Sequence, residues 1–329
     1  MDILNGLQNK VINLDDEDFE QVALEIFQFQ AHNNQVYREY ITNLSVDPEK
    51  IDRLDQVPFL PITLFKSRRI VTGIWDPQMV FTSSGTVSGQ TSRHYIHDLG
   101  YYEKVTFEIF KKFYSSPERY HIMALLPSYL ERTGSSLVHM IRNLISKSRS
   151  PFSGFYLRDY KKLSEHIIAA KASSDRKIMV WGVSFALLDL AEKGPPDLSD
   201  AIIIETGGMK GQRPELIRDD LHVRLLEAFG VREIQSEFGM AELMSQAYTQ
   251  TGRFHTPSWM KVKIRDISDP FDSMPAGKAG GLNVIDLSNV HSCAFIETQD
   301  LAEVDEQGTF KVLGRLDNAA VRGCNLLVG

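Results

Sequence analysis

Cysteine is nearly missing from this sequence: Cys293 and Cys324 are the only two in 329 residues. Two thiols cannot build the disulfide framework of a small secreted scaffold, and the usage fits a reducing compartment. Long apolar runs are lacking too, since none approaches the roughly 18–20 residues that a membrane span requires. The opening Met1-Asp2-Ile3-Leu4-Asn5 has neither a basic stretch nor a cleavable apolar segment, so no secretion signal is read there. Positive charge is in deficit, with 36 Lys and Arg against 43 Asp and Glu and a net charge of −7. That balance argues against a nucleic-acid binder, and the one dense basic cluster, Lys66-Ser67-Arg68-Arg69, is short. No HExxH or CxxC spacing marks a metal centre. Internal repeats and low-complexity tracts are absent as well. The expectation is a cytoplasmic protein whose 43% hydrophobic content suffices for one large core or two lobes.

What is present reads as a layered α/β chain. Phe19, Val22, Ile26 and Phe27 fall at helix spacing, predicting helix over 15–45. Val57-Pro58-Phe59-Leu60-Pro61-Ile62 reads as extended, because proline disfavours helix in the residue before it. Helix is expected over 99–113, a buried strand over 120–126, then helices over 135–146 and 160–172. A strand over 177–181 runs into Gly182, with helix 185–192 behind it. Another over 201–205 runs into Gly207-Gly208, and helix 214–229 follows. Short apolar runs alternating with helices predict a largely parallel sheet. From Trp259 the pattern changes to short strands punctuated by Gly and Pro, a β-rich subdomain. The domain reading is therefore 1–258 for an α/β core, 259–315 for the β-rich part and 316–329 for a hinge-like tail.

Four motifs carry chemistry. Thr82-Ser83-Ser84-Gly85-Thr86-Val87-Ser88-Gly89-Gln90 is rich in hydroxyls and glycine, and follows apolar Met79 to Phe81. Such a loop offers N–H groups and hydroxyls to a polyanion, although it lacks the lysine and spacing of a GxxxxGK[ST] loop, and an ordinary turn has the same composition. Glu205-Thr206-Gly207-Gly208-Met209-Lys210 sits at a strand end, where open α/β sheets place ligands; a plain tight turn with a solvated Lys210 is the alternative. Phe238-Gly239-Met240-Ala241-Glu242 offers an aromatic ring and a carboxylate, or else a helix N-terminus with Glu242 suited to its dipole. The last group is Thr298-Gln299-Asp300 with Gly314-Arg315-Leu316-Asp317-Asn318 and Arg322-Gly323.

In that order the motifs resemble the signatures of the adenylate-forming superfamily of acyl-CoA synthetases. The resemblance implies the large N-terminal domain of that fold, layered mostly parallel sheets with helices, plus the β-rich subdomain. It also implies ATP and Mg²⁺: Thr82, Ser83, Ser84, Gly85, Thr86 and Gly89 at the phosphates, Gly207, Gly208, Phe238 and Gly239 at the adenine, and Asp300 and Arg315 at the ribose or phosphate. Glu242 would hold Mg²⁺, as a hard dication wants carboxylate oxygen. Asp317 would be the hinge pivot. The phosphate-loop lysine is missing, with Gln90 and Arg93 nearby, and Ala241 stands where the family has threonine. The family's mobile C-terminal domain with its catalytic lysine is expected to be absent, which makes Lys210 a candidate for that role. Cys324, five residues before Gly329, together with Pro58-Phe59-Leu60-Pro61 and Leu64-Phe65-Lys66, resembles the LuxE type of acyl-protein synthetase. That family takes the acyl group onto a cysteine near its own C-terminus. The implied activity is adenylation of a carboxylic, fatty acid, then transfer to Cys324 as a thioester for an acyl-protein reductase or acyltransferase partner.

Three other readings stand beside it. One is an adenylate-forming ligase with an external acceptor, and one is a degenerate homologue that binds nucleotide without turnover. The third is a serine acyl hydrolase, because Trp181-Gly182-Val183-Ser184-Phe185-Ala186 resembles a GxSxG elbow; Ser184 also suits an N-cap for helix 185–192. His121 and His139 sit in apolar contexts that suit core or pocket lining, and Cys293, beside Ala294 and Phe295, reads as a buried thiol.

Overall fold

A computed structural model describes residues 2–83, 91–127, 134–207, 218–269 and 271–316. The expected site residues Ser84, Gly85, Thr86, Gly89, Gly208, Lys210 and Cys324, with Asp317, lie outside them. Among the described residues the chain forms β1 (Leu60–Pro61), β2 (Met79–Thr82) and β3 (Arg93–Ile96) first. Then come β4 (Tyr120–Leu125), β5 (Gly154–Phe155), β6 (Lys177–Val183), β7 (Ile202–Thr206), β8 (Gln235–Phe238) and β9 (Ala247–Gln250). Last are β10 (Arg253–His255), β11 (Met260–Arg265), β12 (Ala279–Asp286), β13 (Phe295–Val304) and β14 (Phe310–Arg315). Packing gathers them into two compact units that interleave along the chain, unlike the consecutive segments 1–258, 259–315 and 316–329 read from sequence. None of the described helices is long and apolar enough to cross a membrane.

One unit comprises Thr106–Gly239 and Gln246–Gly252. Its sheet runs β9-β8-β7-β6-β4-β5, with every pair parallel except β8 with β9. Helices Ser136–Ser148, Tyr160–Ser173, Ser184–Glu192 and Arg218–Phe229 alternate with the parallel strands. Every residue of β4, and of β6 after Lys177, is buried. Such unbroken apolar runs belong to strands covered on both faces. Serine and aspartate set the helix starts: Ser135 Oγ accepts from Val138 N at 3.3 Å and Asp159 Oδ1 from Lys162 N at 3.1 Å.

The other unit holds the chain up to Val105, Met240–Ser245 and the chain from Arg253. Its sheet is antiparallel in the order β11-β12-β13-β14-β10, with β1 parallel to the start of β13, and β2 and β3 form a separate antiparallel hairpin. The helix expected over 15–45 is two helices, Phe19–Asn33 and Gln35–Asn43. Asn34 divides them in extended conformation, its Oδ1 accepting from Tyr37 N at 3.1 Å and its amide donating to Ser292 O at 2.9 Å. Gln30 binds the same loop, donating to Asn289 O at 2.9 Å and accepting from Ala294 N at 2.9 Å. These buried amides tie the N-terminal helices to the segment that follows β12.

Candidate functional site

The segment after β8 contains no helix from Gly239 to Gln246, so the helix-terminus alternative for Glu242 does not hold. Asp286, the last residue of β12 and fully buried, fastens this turn. Its carboxylate accepts from Met244 N at 2.9 Å, Ser245 N at 2.9 Å and Ser245 Oγ at 2.8 Å. Ser288 adds its N–H at 3.2 Å and its hydroxyl at 2.5 Å. Burial pushes the Asp286 carboxyl above its usual range, and these donors pull the other way. Trp259 Nε1 completes the anchor by donating to Ser245 Oγ at 2.9 Å.

Upstream in the turn, Glu242 is only 5% exposed. Burial raises its carboxyl above the usual range, while a hydrogen bond from Ser92 and the charges of Arg315 and Lys66 oppose the rise. Asp300 on β13 is 8% exposed and is raised by burial, with Arg315 lowering it and the Glu242 charge raising it further. The β13–β14 register sets Asp300 opposite Arg315. Asp300 thus feels the Glu242 charge, Arg315 lowers both carboxyls, and Lys66 lowers Glu242 as well. Oxygen donors of this kind suit a hard dication such as Mg²⁺. No cluster of three or more potential metal ligands occurs among the described residues.

Thr82 ends β2 opposite Arg93, and the hairpin continues as Ser83 N donates to Ser92 O at 3.2 Å and Ser92 N to Ser83 Oγ at 3.0 Å. In the α/β unit, Gly207 follows β7 with φ of 69°, a conformation glycine adopts without strain. Phe238, 8% exposed, closes β8, and Gly239 follows it. A Cβ on Gly239 would meet the Glu237 carboxylate. Thr206 hydrogen-bonds that carboxylate from β7.

Ser184 is the first residue of its helix rather than the cap, which is Val183. Its hydroxyl lies 2.5 Å from Glu205 Oε1 and 3.0 Å from Gly207 O. A carboxylate and a carbonyl, not an imidazole, take its single proton, which removes the base a serine nucleophile needs. His121 is held at both ring nitrogens by Ser150 and Ser174 hydroxyls, at 2.6 and 2.9 Å, as a structural residue. His139 is half-buried on helix Ser136–Ser148. Cys293 is fully buried, donates to Phe295 O at 3.4 Å and has its pKa pushed up to about 12 by burial.

Sequence reading passed over Ser92, His94, Asp286 and Asn289. His94 Nδ1 lies 2.9 Å from Ala241 O and its Nε2 3.0 Å from Asn289 Oδ1, and Asn289 Nδ2 donates to Glu242 O at 2.8 Å. Burial pushes His94 down to about 4, against the pull of those contacts. The alternation Ser92-x-His94-x-Ile96 is the only sequence signal for this, and two of its three inward residues are polar.

Residues 161–329, just over half of the chain, match the family model for acyl-protein synthetase, LuxE. The chain belongs to this family. No curated protein sequence matches this LuxE-family chain. Among solved structures it resembles an open conformation of 2-hydroxyisobutyryl-CoA ligase in complex with 2-HIB-AMP and CoA. That match has a TM-score of 0.68 and 13% identity over 91% of this chain and 70% of the other. ATP-bound MatB from Rhodopseudomonas palustris matches with a TM-score of 0.52 and 17% identity over 72% of this chain. A long-chain-fatty-acid-CoA ligase, FadD1, from Archaeoglobus fulgidus matches with a TM-score of 0.53 and 15% identity over 73% of this chain. The matches span 47% of MatB and 52% of FadD1, about half of each. At these identities the likeness shows the fold, that of the adenylate-forming ligases, α/β with a large, mostly parallel sheet.

Proposed function

We propose that this protein activates a carboxylic acid, fatty in character, with ATP and passes the acyl group to Cys324. The observation that supports this best is the buried Glu242–Asp300 pair beside Arg315, at the positions where the motifs fall in family order. In the first step a substrate carboxylate oxygen attacks the α-phosphorus of ATP. The bond to the β-phosphate's bridging oxygen breaks, pyrophosphate leaves, and an acyl adenylate remains. In the second, the Cys324 thiolate attacks the acyl carbon and AMP leaves with the carbonyl–oxygen bond pair, giving a thioester. A thiol of ordinary pKa about 8.5 must first lose its proton, and Arg322, two residues away in sequence, favours the thiolate.

Asp300 accepts hydrogen bonds from ribose hydroxyls, and Arg315 binds ribose or phosphate oxygen. Phe238, Gly207, Gly208 and Gly239 contact adenine, and Thr82, Ser83, Ser84, Gly85, Thr86 and Gly89 contact phosphates. Glu242 would hold Mg²⁺, which would supply neutralisation of phosphate charge. Lys210 is a further candidate for the role of the family's catalytic lysine. Incubation with ATP, Mg²⁺ and a panel of carboxylic acids, followed by intact mass, tests the scheme. The expected result is a hydroxylamine-labile acyl adduct that is lost in Cys324→Ser. Pyrophosphate release without an adduct would instead mean an external acceptor. ATP binding without either would mean a degenerate binder.

A further inference from the structure

We propose that His94 and Asn289 are positioning residues for Glu242. They hold the main chain of Ala241–Glu242 so that the carboxylate is presented to the cation accompanying ATP. This rests on the Glu242 role given above and adds to it the part of the chain that sets its geometry.

The inward face of β3 carries His94 and Ile96, 1% and 2% exposed, and Ser92 just before the strand is 3% exposed, while Arg93 between Ser92 and His94 is exposed. Residues two apart on a strand share a face. His94 Nδ1 is 2.9 Å from Ala241 O, and Ser92 lowers the Glu242 carboxyl's pKa against the effect of burial. Asn289 takes the second carbonyl, its Nδ2 donating to Glu242 O at 2.8 Å while its Oδ1 lies 3.0 Å from His94 Nε2. With Nδ2 donating to Glu242 O, Oδ1 faces His94 Nε2, and a neutral imidazole has one N–H to give, to Ala241 O through Nδ1 or to Asn289 Oδ1 through Nε2. Both carbonyls of a single dipeptide thus meet buried polar side chains.

The grip is itself rigid. Asn289 is 1% exposed, its N–H donates to Asp286 O at 3.0 Å and its carbonyl accepts from Gln30 Nε2 at 2.9 Å. His94 meets the Phe65 ring edge-on at 6.1 Å. The turn has no helix or strand of its own to fix Glu242. Ala241 has no hydroxyl, so beside the carboxylate the dipeptide offers only main-chain polar groups. β3 is also the return strand of the hairpin that bears Thr82 and Ser83, which links the Ser- and Gly-rich stretch in sequence to the Glu242 turn.

Wild type, His94→Ala, His94→Asn and Asn289→Ala are compared in two measurements. The first is the Mg²⁺ dependence of acid-dependent pyrophosphate–ATP exchange. Loss of a group that orients a metal ligand should raise the half-saturating Mg²⁺ concentration about ten-fold or more in His94→Ala, with the KM for the acid unchanged. His94→Asn, whose amide nitrogen takes the place of Nδ1, should recover most of the loss. The second measurement is amide hydrogen exchange, which needs no turnover: residues 241–245 should exchange faster in His94→Ala and Asn289→Ala, with β12 unchanged. Unchanged exchange in the turn overturns the proposal, as does a kinetic defect shared equally by Mg²⁺ and acid. A wild type without pyrophosphate exchange would sink the proposed function instead, and hydrogen exchange would then still decide whether the pair holds the turn.

Discussion

Asp300 has given up most of its water on β13, and burial, opposed by Arg315 and reinforced by Glu242, leaves its carboxyl above the usual range. A carboxylate kept in that state without a catalytic proton to move is suited to accepting hydrogen bonds from a ligand. Asp300→Ala is expected to weaken ATP binding by about ten- to a hundred-fold, the equivalent of the roughly 1.5–3 kcal/mol for hydrogen bonds to a charged group. Isothermal titration calorimetry reads this directly, and an unchanged Kd would contradict the assignment. Glu242 differs from Asp300 in lying in a turn whose Ala241 and Glu242 carbonyls meet the buried His94 and Asn289 side chains. Ser184 carries a different lesson: its neighbours at strand ends gave it the look of a nucleophile, but Glu205 already occupies its hydroxyl.

At the scale of elements, β12 is the strand on which most depends, since Asp286 at its end anchors the Glu242 turn. Gly280 on β12 packs directly against β11, where a Cβ would run into Arg265 O and Ile264 Cγ2. Because one of those atoms is backbone, Gly280→Ala should cost about 1–3 kcal/mol of stability by overpacking, measured by chemical denaturation. A variant as stable as wild type would show that the sheet yields there freely. Elements of the α/β unit were readable from sequence: strands over 120–126, 177–181 and 201–205 stand out because both their faces are apolar, and β4, β6 and β7 lie there. β3 was not, because its buried face is built of Ser92 and His94, whose partners lie about 150 to 195 residues away. The helix break at Asn34 was hidden for a related reason. The apolar periodicity runs on through it, and what stops the helix is a hydrogen bond to Ser292. Likewise, two units that interleave along the chain leave no composition boundary at their seams.

For the whole molecule, buried histidines tie stability to pH. His291 is 8% exposed, stacked on His97 at 4.5 Å with Trp75 edge-on, and has its pKa pushed from 6.5 down to about 4. Burial is the main cause, His97 adds to it and Asp98 opposes it. A depressed folded-state pKa contributes stability that is present above the unfolded value and is lost as pH falls toward the folded one. The loss from His291 should therefore develop between pH 6.5 and about 4 and reach roughly 3 kcal/mol at most. Buried carboxylates with raised pKa, Asp286 among them, act in the opposite direction. The comparison is consequently between wild type and His291→Gln, whose urea midpoint should vary less over that window; parallel curves would contradict the account. Family membership and fold bear on the protein as a whole, while its chemistry hangs on whether a carboxylic acid is activated at all. The most direct test is exchange of labelled pyrophosphate into ATP with Mg²⁺ across a panel of carboxylic acids. The account predicts exchange that requires the acid and is lost in Glu242→Ala. Protein that binds ATP yet exchanges nothing with any acid, or exchanges equally well without one, would contradict it.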